Sequence, residues 1–179
     1  MPDRTQRVIT PLPAVSPEIG KWLWALEEAR ARTKRMIDGV TQDELDALPA
    51  GFDNAIGTLL YHIALIEADY LCIDVMGLDA YLPELQAIFP HPDRTEDGRL
   101  VVVSGVPLDE HLYRLDLVRD RLIAHFTTMT SEDAATAHAL PEWGYDISPE
   151  WTLFHLTQHE GEHRGEIGSL LTELTLTRR

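Results

Sequence analysis

The chain carries 179 residues, 44% of them hydrophobic and 25% charged, which fits one globular domain long enough to bury a real core. Lys and Arg number 15 against 30 Asp and Glu, a formal charge of −15, which argues against nucleic-acid partners and anionic membrane surfaces, since both bind clustered positive charge. The lone Cys72 excludes an intrachain disulfide and a Cys-rich zinc site, and a reducing cytoplasm is the simplest fit.

Residues 1–17 hold four prolines and no period, and read as an extended N-terminal arm; residues 18–179 read as a single domain. The arm has no apolar core of signal-peptide length, and no apolar stretch is expected to reach the ~20 residues of a bilayer span. From Glu18 to Asp38 the pattern turns helical, with Trp22, Leu26, Ala29, Thr33, Met36 and Ile37 on one stripe and Arg30 among the polar positions. Gly39 is a stop. Thr41 to Glu44 forms a capping box that opens a short turn ending near Pro49.

Asp53 or Asn54 is expected to cap a second long helix, from Asn54 to Val75, with Gly77 past its end. Residues 77–106 are irregular, with a short helix expected over Tyr81 to Phe89 and an extended piece over Leu100 to Val103. So long a connection suits a crossover that returns the chain to the other end, leaving the second and third helices parallel. Pro107 opens the third helix, to Met129, with Arg114 and Arg119 placed on its polar face. Residues 130–147 connect, and Ser148-Pro149-Glu150 caps a fourth helix to Leu174. Four long amphipathic helices and no convincing sheet give an all-α four-helix bundle.

The chemistry gathers on the fourth helix. His155, His159 and His163 fall four residues apart and share one face. Neighbouring members of the ladder are separated by about 6 Å along the axis and roughly 40° in azimuth, so two can converge on one ion. His155 and His163, about 12 Å apart, cannot share it, and the pair is either 155/159 or 159/163. His62 lies near the core-facing side of the second helix and supplies a third ligand. Three imidazoles suit zinc, nickel, copper or iron, and leave a coordination position open for water, hydroxide or a substrate sulfur. The competing readings are a satisfied core histidine at His62 and a hydrogen-bonded stripe or dimer surface on the fourth helix.

The segments Asn54-Ala-Ile-Gly-Thr-Leu-Leu-Tyr-His62-Ile and Leu156-Thr-Gln-His159-Glu-Gly-Glu-His163-Arg-Gly-Glu-Ile167 resemble the DinB/YfiT-like family of metal-binding four-helix bundles. Pro107-Leu-Asp-Glu-His-Leu-Tyr-Arg-Leu is similar too, with less specificity. The resemblance covers about residues 18 to 174. It implies an up-down-down-up helix order and makes His62, His159 and His163 the metal ligands, with His155 as a pocket or supporting residue one turn earlier. Glu166 stands where the family more often has Gln, and a carboxylate there can orient a ligand histidine. The resemblance further implies a divalent transition metal, zinc or nickel before iron or copper, and a homodimer. The implied activity is metal-dependent transfer of a low-molecular-weight thiol onto a small electrophile. The alternatives are a non-catalytic metal-binding stress-response protein or sensor, and a metal-free helical dimer.

The remaining polar residues read as background. Cys72 lies too far along its helix from His62 to reach the same ion. Glu67 and Asp69 read as solvated charges, and Glu160 and Glu162 as pointing off the ligand face. His91, His111, His125 and His138 read as loop or mixed-face residues. The four tryptophans read as packing, with Trp143 and Tyr145 placed at a pocket mouth.

Overall fold

The structure, a computed structural model, describes residues 6–140 and 144–177. Helix α1 spans Pro17–Met36. Ser16 caps it by accepting from the Ile19 amide at 3.4 Å, and Pro17 occupies the first turn, where its missing N–H costs nothing. Gly39 then takes φ +75°, the left-handed turn expected of a stop. The capping box opens the short helix α2, Gln42–Asp46, as its sequence requires.

Helix α3, Ile56–Asp69, is buried at nearly every position. Its first turn is capped by Ala55 with no side-chain hydrogen bond, so the Asp53 or Asn54 cap does not form. It runs on into a π-helical turn, Tyr70–Val75, whose wider i→i+5 spacing is closed by the Met76 amide on the Leu71 carbonyl at 3.0 Å. Ile56–Val75 does reach the length and mean hydropathy, 1.4, of a membrane span, contrary to the sequence expectation. Yet 78% of that window is buried inside the bundle, which is what a central core helix requires.

The crossover holds one helical turn, α4 at Pro83–Gln86, and only an isolated bridge between Arg94 and Leu100 where a longer extended piece was expected. Helix α5 spans Leu108–Phe126 and α6 spans Ser131–Ala135. Strands β1, His138–Leu140, and β2, Tyr145–Ile147, pair antiparallel in a small hairpin absent from the sequence reading. Helix α7 spans Pro149–Thr177.

Side-chain partners fix the helix directions. Between α1 and α7, Trp22 meets Glu150, Arg30 meets Glu160 and Met36 meets Gly168, so residue numbers rise together and the helices are parallel. Between α3 and α5, Gly57 meets His111, Tyr61 meets Arg114 and Glu67 meets Arg119, again parallel. Between α3 and α7 the order reverses, with His62 at His163 and Tyr70 at Trp151. The bundle is therefore up-down-down-up, and the long crossover exists because parallel neighbours cannot be joined by a short turn. Leu23, Leu26, Leu59, Leu60, Leu115, Leu122, Phe126, Leu153 and Ile167 fill the space between the four helices.

One polar cluster crosses that core. Arg30, Glu67, Arg119 and Glu160, one residue from each long helix, are all buried to within 3% of full exclusion from solvent. Arg30 donates to Glu67 at 2.7 Å and to Glu160 at 3.0 Å, while Arg119 donates to Glu67 at 2.6 and 2.9 Å and to Glu160 at 3.1 Å. Two cations and two anions cancel, and each carboxylate accepts from both guanidinium groups, which is what makes burial of the four tolerable. Burial pushes the Glu67 carboxyl up, but the charges of Arg119 and Arg30 outweigh it and hold Glu67 below its ordinary range. Glu67 and Glu160 are thus not solvated charges, and Arg30, Arg114 and Arg119 are not on outward faces.

Candidate metal centre

His62 comes from the middle of α3, and His159 and His163 from successive turns of α7. Because α3 and α7 are antiparallel neighbours, the three rings meet between them. His159 Nε2 lies 3.2 Å from His62 Nε2 and 3.1 Å from His163 Nε2, and all three nitrogens fall within 4.8 Å of one another. Tetrahedral zinc with N ligands at about 2.0–2.1 Å places its donors roughly 3.3–3.4 Å apart, close to the two separations that His159 makes. His62 is buried and the α7 pair half-buried, which leaves one side open.

The outer nitrogens show why the Nε2 atoms face one another. His62 Nδ1 stands 2.5 Å from Asp93 Oδ1, and His163 Nδ1 stands 3.1 Å from Glu166 Oε1. A carboxylate only accepts, so both rings carry their proton on Nδ1 and turn a bare Nε2 lone pair inward. At most one proton, on His159, is available to the space between three acceptors. A divalent cation satisfies all three lone pairs at once; the donor set fits such an ion.

Burial, followed by the neighbouring His163 and His62, pushes the His159 pKa down to about 2. Burial and then His62 lower His163 as well. Neutral imidazole is the form a metal requires.

Of the sequence candidates, His155 stays outside the cluster. Its ring stacks on Trp151 at 5.0 Å, packs on Tyr70 at 4.8 Å and lies 5.8 Å from the ring of His159. Glu166 reaches His163 from the exposed side. Cys72 is buried in the π-helical turn, and burial raises its thiol pKa. His91 contributes its backbone carbonyl to the Tyr61 hydroxyl at 2.7 Å. His111 is not background: it is 1% exposed against Gly57, and burial, then the Arg114 charge, pushes its pKa down to about 4. Trp143 lies outside the described residues, whereas Tyr145 lines a cavity beside the site.

Asp93 is the residue sequence reasoning missed. It sits in the irregular crossover, 31 positions from His62, where no periodicity ties it to a helix face. Its one available signal is chemical, since an inward histidine ligand needs an acceptor for its other ring nitrogen.

The cavity that Asp93 shares is about 960 Å³ and is walled by the end of α3, the crossover and Tyr145. Burial, then the Asp69 charge, pushes the Asp74 pKa up to about 6. Burial is also the main cause of the raised Asp69 pKa. Tyr70, on the same wall, is pushed up to about 12, chiefly by burial.

Two solved structures share this architecture. A conserved protein from Enterococcus faecalis superposes with a TM-score of 0.63 at 17% identity, covering 83% of this chain and 92% of its own. YfiT from Bacillus subtilis superposes with a TM-score of 0.62 at 18% identity, covering 93% of each chain, and is described as "a probable metal-dependent hydrolase with an unusual four-helix bundle topology". No curated protein matches the chain significantly. The sequence model of the DinB superfamily matches residues 25–167, from within α1 to beyond His163 on α7, and the chain belongs to that superfamily.

Proposed function

We propose that the chain is a divalent-metal-dependent enzyme whose ion is held by His62, His159 and His163, and that it transfers a low-molecular-weight thiol onto a small electrophile. The observation that carries the metal reading is the convergence of three Nε2 atoms with at most one proton to share between them. Zinc or nickel fits the all-imidazole set best; iron or copper is next. When bound, the ion supplies Lewis-acid stabilisation of a deprotonated nucleophile at neutral pH.

The chain's own residues do the rest. Asp93 accepts the His62 Nδ1 proton and fixes that ring's tautomer and orientation. Glu166 does the same for His163. The buried quartet of Arg30, Glu67, Arg119 and Glu160, whose Glu160 follows His159 directly in sequence, ties α3 and α7 together in the register that brings their rings close. In the transfer, the S–H proton of the thiol passes to solvent, sulfur forms a bond to the electrophilic carbon as the bond from that carbon to its leaving group breaks, and the leaving group departs with the electron pair into solvent.

A second reading, hydrolysis with water as the nucleophile, is favoured by the description of YfiT. The tests separate the readings. Elemental analysis of untagged protein should return about one ion per chain. Metal-loaded protein is then offered a panel of thiols with a model electrophile, and separately a panel of activated esters and amides. Thiol consumption supports transfer; hydrolysis without thiol consumption replaces it with the second reading; an occupied site silent in both assays favours a metal-binding sensor. A homodimer and cytoplasmic residence belong to the same proposal, the first tested by light scattering on the eluting species.

A further inference from the structure

The cavity beside the imidazole cluster has a wall chemistry of its own. It adjoins the cluster at two points. Asp93 lines it while holding His62, and Tyr70 lines it while its ring packs on His155. Three carboxylates face it: Asp69, Asp74 and Asp93. Two have partners. Asp93 Oδ1 takes the His62 proton and Oδ2 faces Arg94 Nε at 3.2 Å, while Asp69 accepts from the Tyr81 hydroxyl at 3.2 Å. Asp74 is 9% exposed and forms no hydrogen bond or ion pair among the described residues, with His138 the one cationic group near enough to act on its charge. Its residue is nine-tenths buried while its carboxylate faces the cavity, so a donor that satisfies it has to enter from that side.

That donor is not an arginine or lysine of the cavity wall. Among the described residues Arg94 is the only arginine or lysine lining the cavity, and it is spent on Asp93 and on the Gly98 carbonyl, 2.8 Å away. The other walls are aromatic. Tyr70, Tyr81, Phe89 and Tyr145 present rings to the same space. Ring faces attract cations, and the attraction grows as the cation is desolvated. An anionic head would meet three carboxylates, and a neutral one would leave Asp74 unrelieved.

We propose that this cavity recognises an organic ammonium group, held by Asp74 and Asp69 among the tyrosine rings, on a molecule whose reactive end lies on the Asp93 side towards His62. The inference deepens the metal-dependent reading by naming the substrate class, and rests on that reading only for calling the ligand a substrate. Of thiols and electrophiles, it selects those that carry a protonated or quaternary amine, and disfavours those that carry extra carboxylates.

The test is calorimetric titration at neutral pH with 2-phenylethylamine, which is protonated there, and with 3-phenylpropanoate as its anionic counterpart. The amine should bind at least about ten-fold more tightly than the acid. Asp74→Asn should weaken the amine by about ten-fold, as expected for losing one charge-assisted contact, without lowering the melting temperature. Asp69→Asn and Tyr145→Ala, both at the wall, should each weaken it as well, and they stand in should Asp74→Asn fold poorly. His159→Ala should bind the amine as wild type does, so a protein that takes amine but holds no metal sinks the metal reading alone. Equal affinity for the two probes, no binding of either, or unchanged amine affinity in the aspartate variants overturns the proposal. So does displacement of the amine by zinc in His159→Ala, which would mark an inorganic cation site.

Discussion

Replacing Glu160 by Gln keeps the side chain's shape and removes one charge from the centre of the bundle. In the native chain its two oxygens accept from Arg30 Nε at 3.0 Å and from Arg119 Nη2 at 3.1 Å. Glutamine offers one acceptor, and turns its amide donors towards a guanidinium that is itself all donors. The quartet also passes from neutral to a net +1 with no water to screen it. Breaking a buried pair from one side costs about 3–5 kcal/mol, since the surviving charge stays desolvated. For a domain of this size each kcal/mol moves the midpoint by roughly 2–4 °C, so the melting temperature should fall by about 6–20 °C. The measurement is thermal unfolding followed by circular dichroism in chelator, which keeps ion binding out of the comparison. Glu162→Gln, two residues along on the exposed face, should cost under about 0.5 kcal/mol. Glu67→Gln should match Glu160→Gln, and the double variant should lose less than the sum, because the two sites share both arginines. A Glu160→Gln protein that melts within about 2 °C of wild type would refute the claim that the quartet is a coupled unit.

Four further outcomes follow from the site. His159→Ala should abolish tight metal binding while His91→Ala retains it; equal occupancy in the two by native mass spectrometry would refute the ligand assignment. Asp93→Ala should weaken the metal by about 10–100-fold in a competitive chelator titration, because His62 loses the acceptor that sets its tautomer. Stripping the metal should lower the melting temperature by roughly 8–16 °C if the free ion stands at about a thousand times its Kd, which corresponds to about 4 kcal/mol; an unchanged midpoint favours a metal-free fold. His111, held neutral down to about pH 4 by burial and Arg114, ionises from about 6.5 once unfolded. The unfolded chain then binds the extra proton, so the His111 contribution makes stability fall as pH drops from 6.5 towards 4, by about 1.4 kcal/mol per pH unit. In chelator, His111→Asn should flatten the slope of melting temperature against pH over that window, and an unaltered slope counts against the buried neutral ring.

The elements that periodicity can see were legible. The bounds of α1, α5 and α7 fall within a few residues of those read from the sequence, because stripe, cap and stop agree there. Spacing on α7 leaves the pair open between 155/159 and 159/163, the family resemblance chooses the second, and it is that pair whose rings meet His62. What escaped is what spacing cannot carry. Arg30, Glu67, Arg119 and Glu160 look like ordinary solvated charges one helix at a time, and only their meeting across four helices makes burial affordable. Asp93 lies in a segment whose shape is set by the crossover and not by a repeat. The hairpin β1–β2 is formed by strands of three residues, too short to show alternation.

The π-helical turn at Tyr70–Val75 ends the rod that α3 begins. Upstream of it, His62 is pinned by the packing of α3 against α5 and α7. Within the turn, the wider spacing shifts the later positions by about a quarter-turn or more relative to a regular helix, and Asp74 is one of them. A one-residue deletion there would turn Asp74 to a new azimuth while leaving His62 where it stands. The carboxylate and the imidazole therefore answer to separate stretches of backbone, and a change of register in one leaves the other in place.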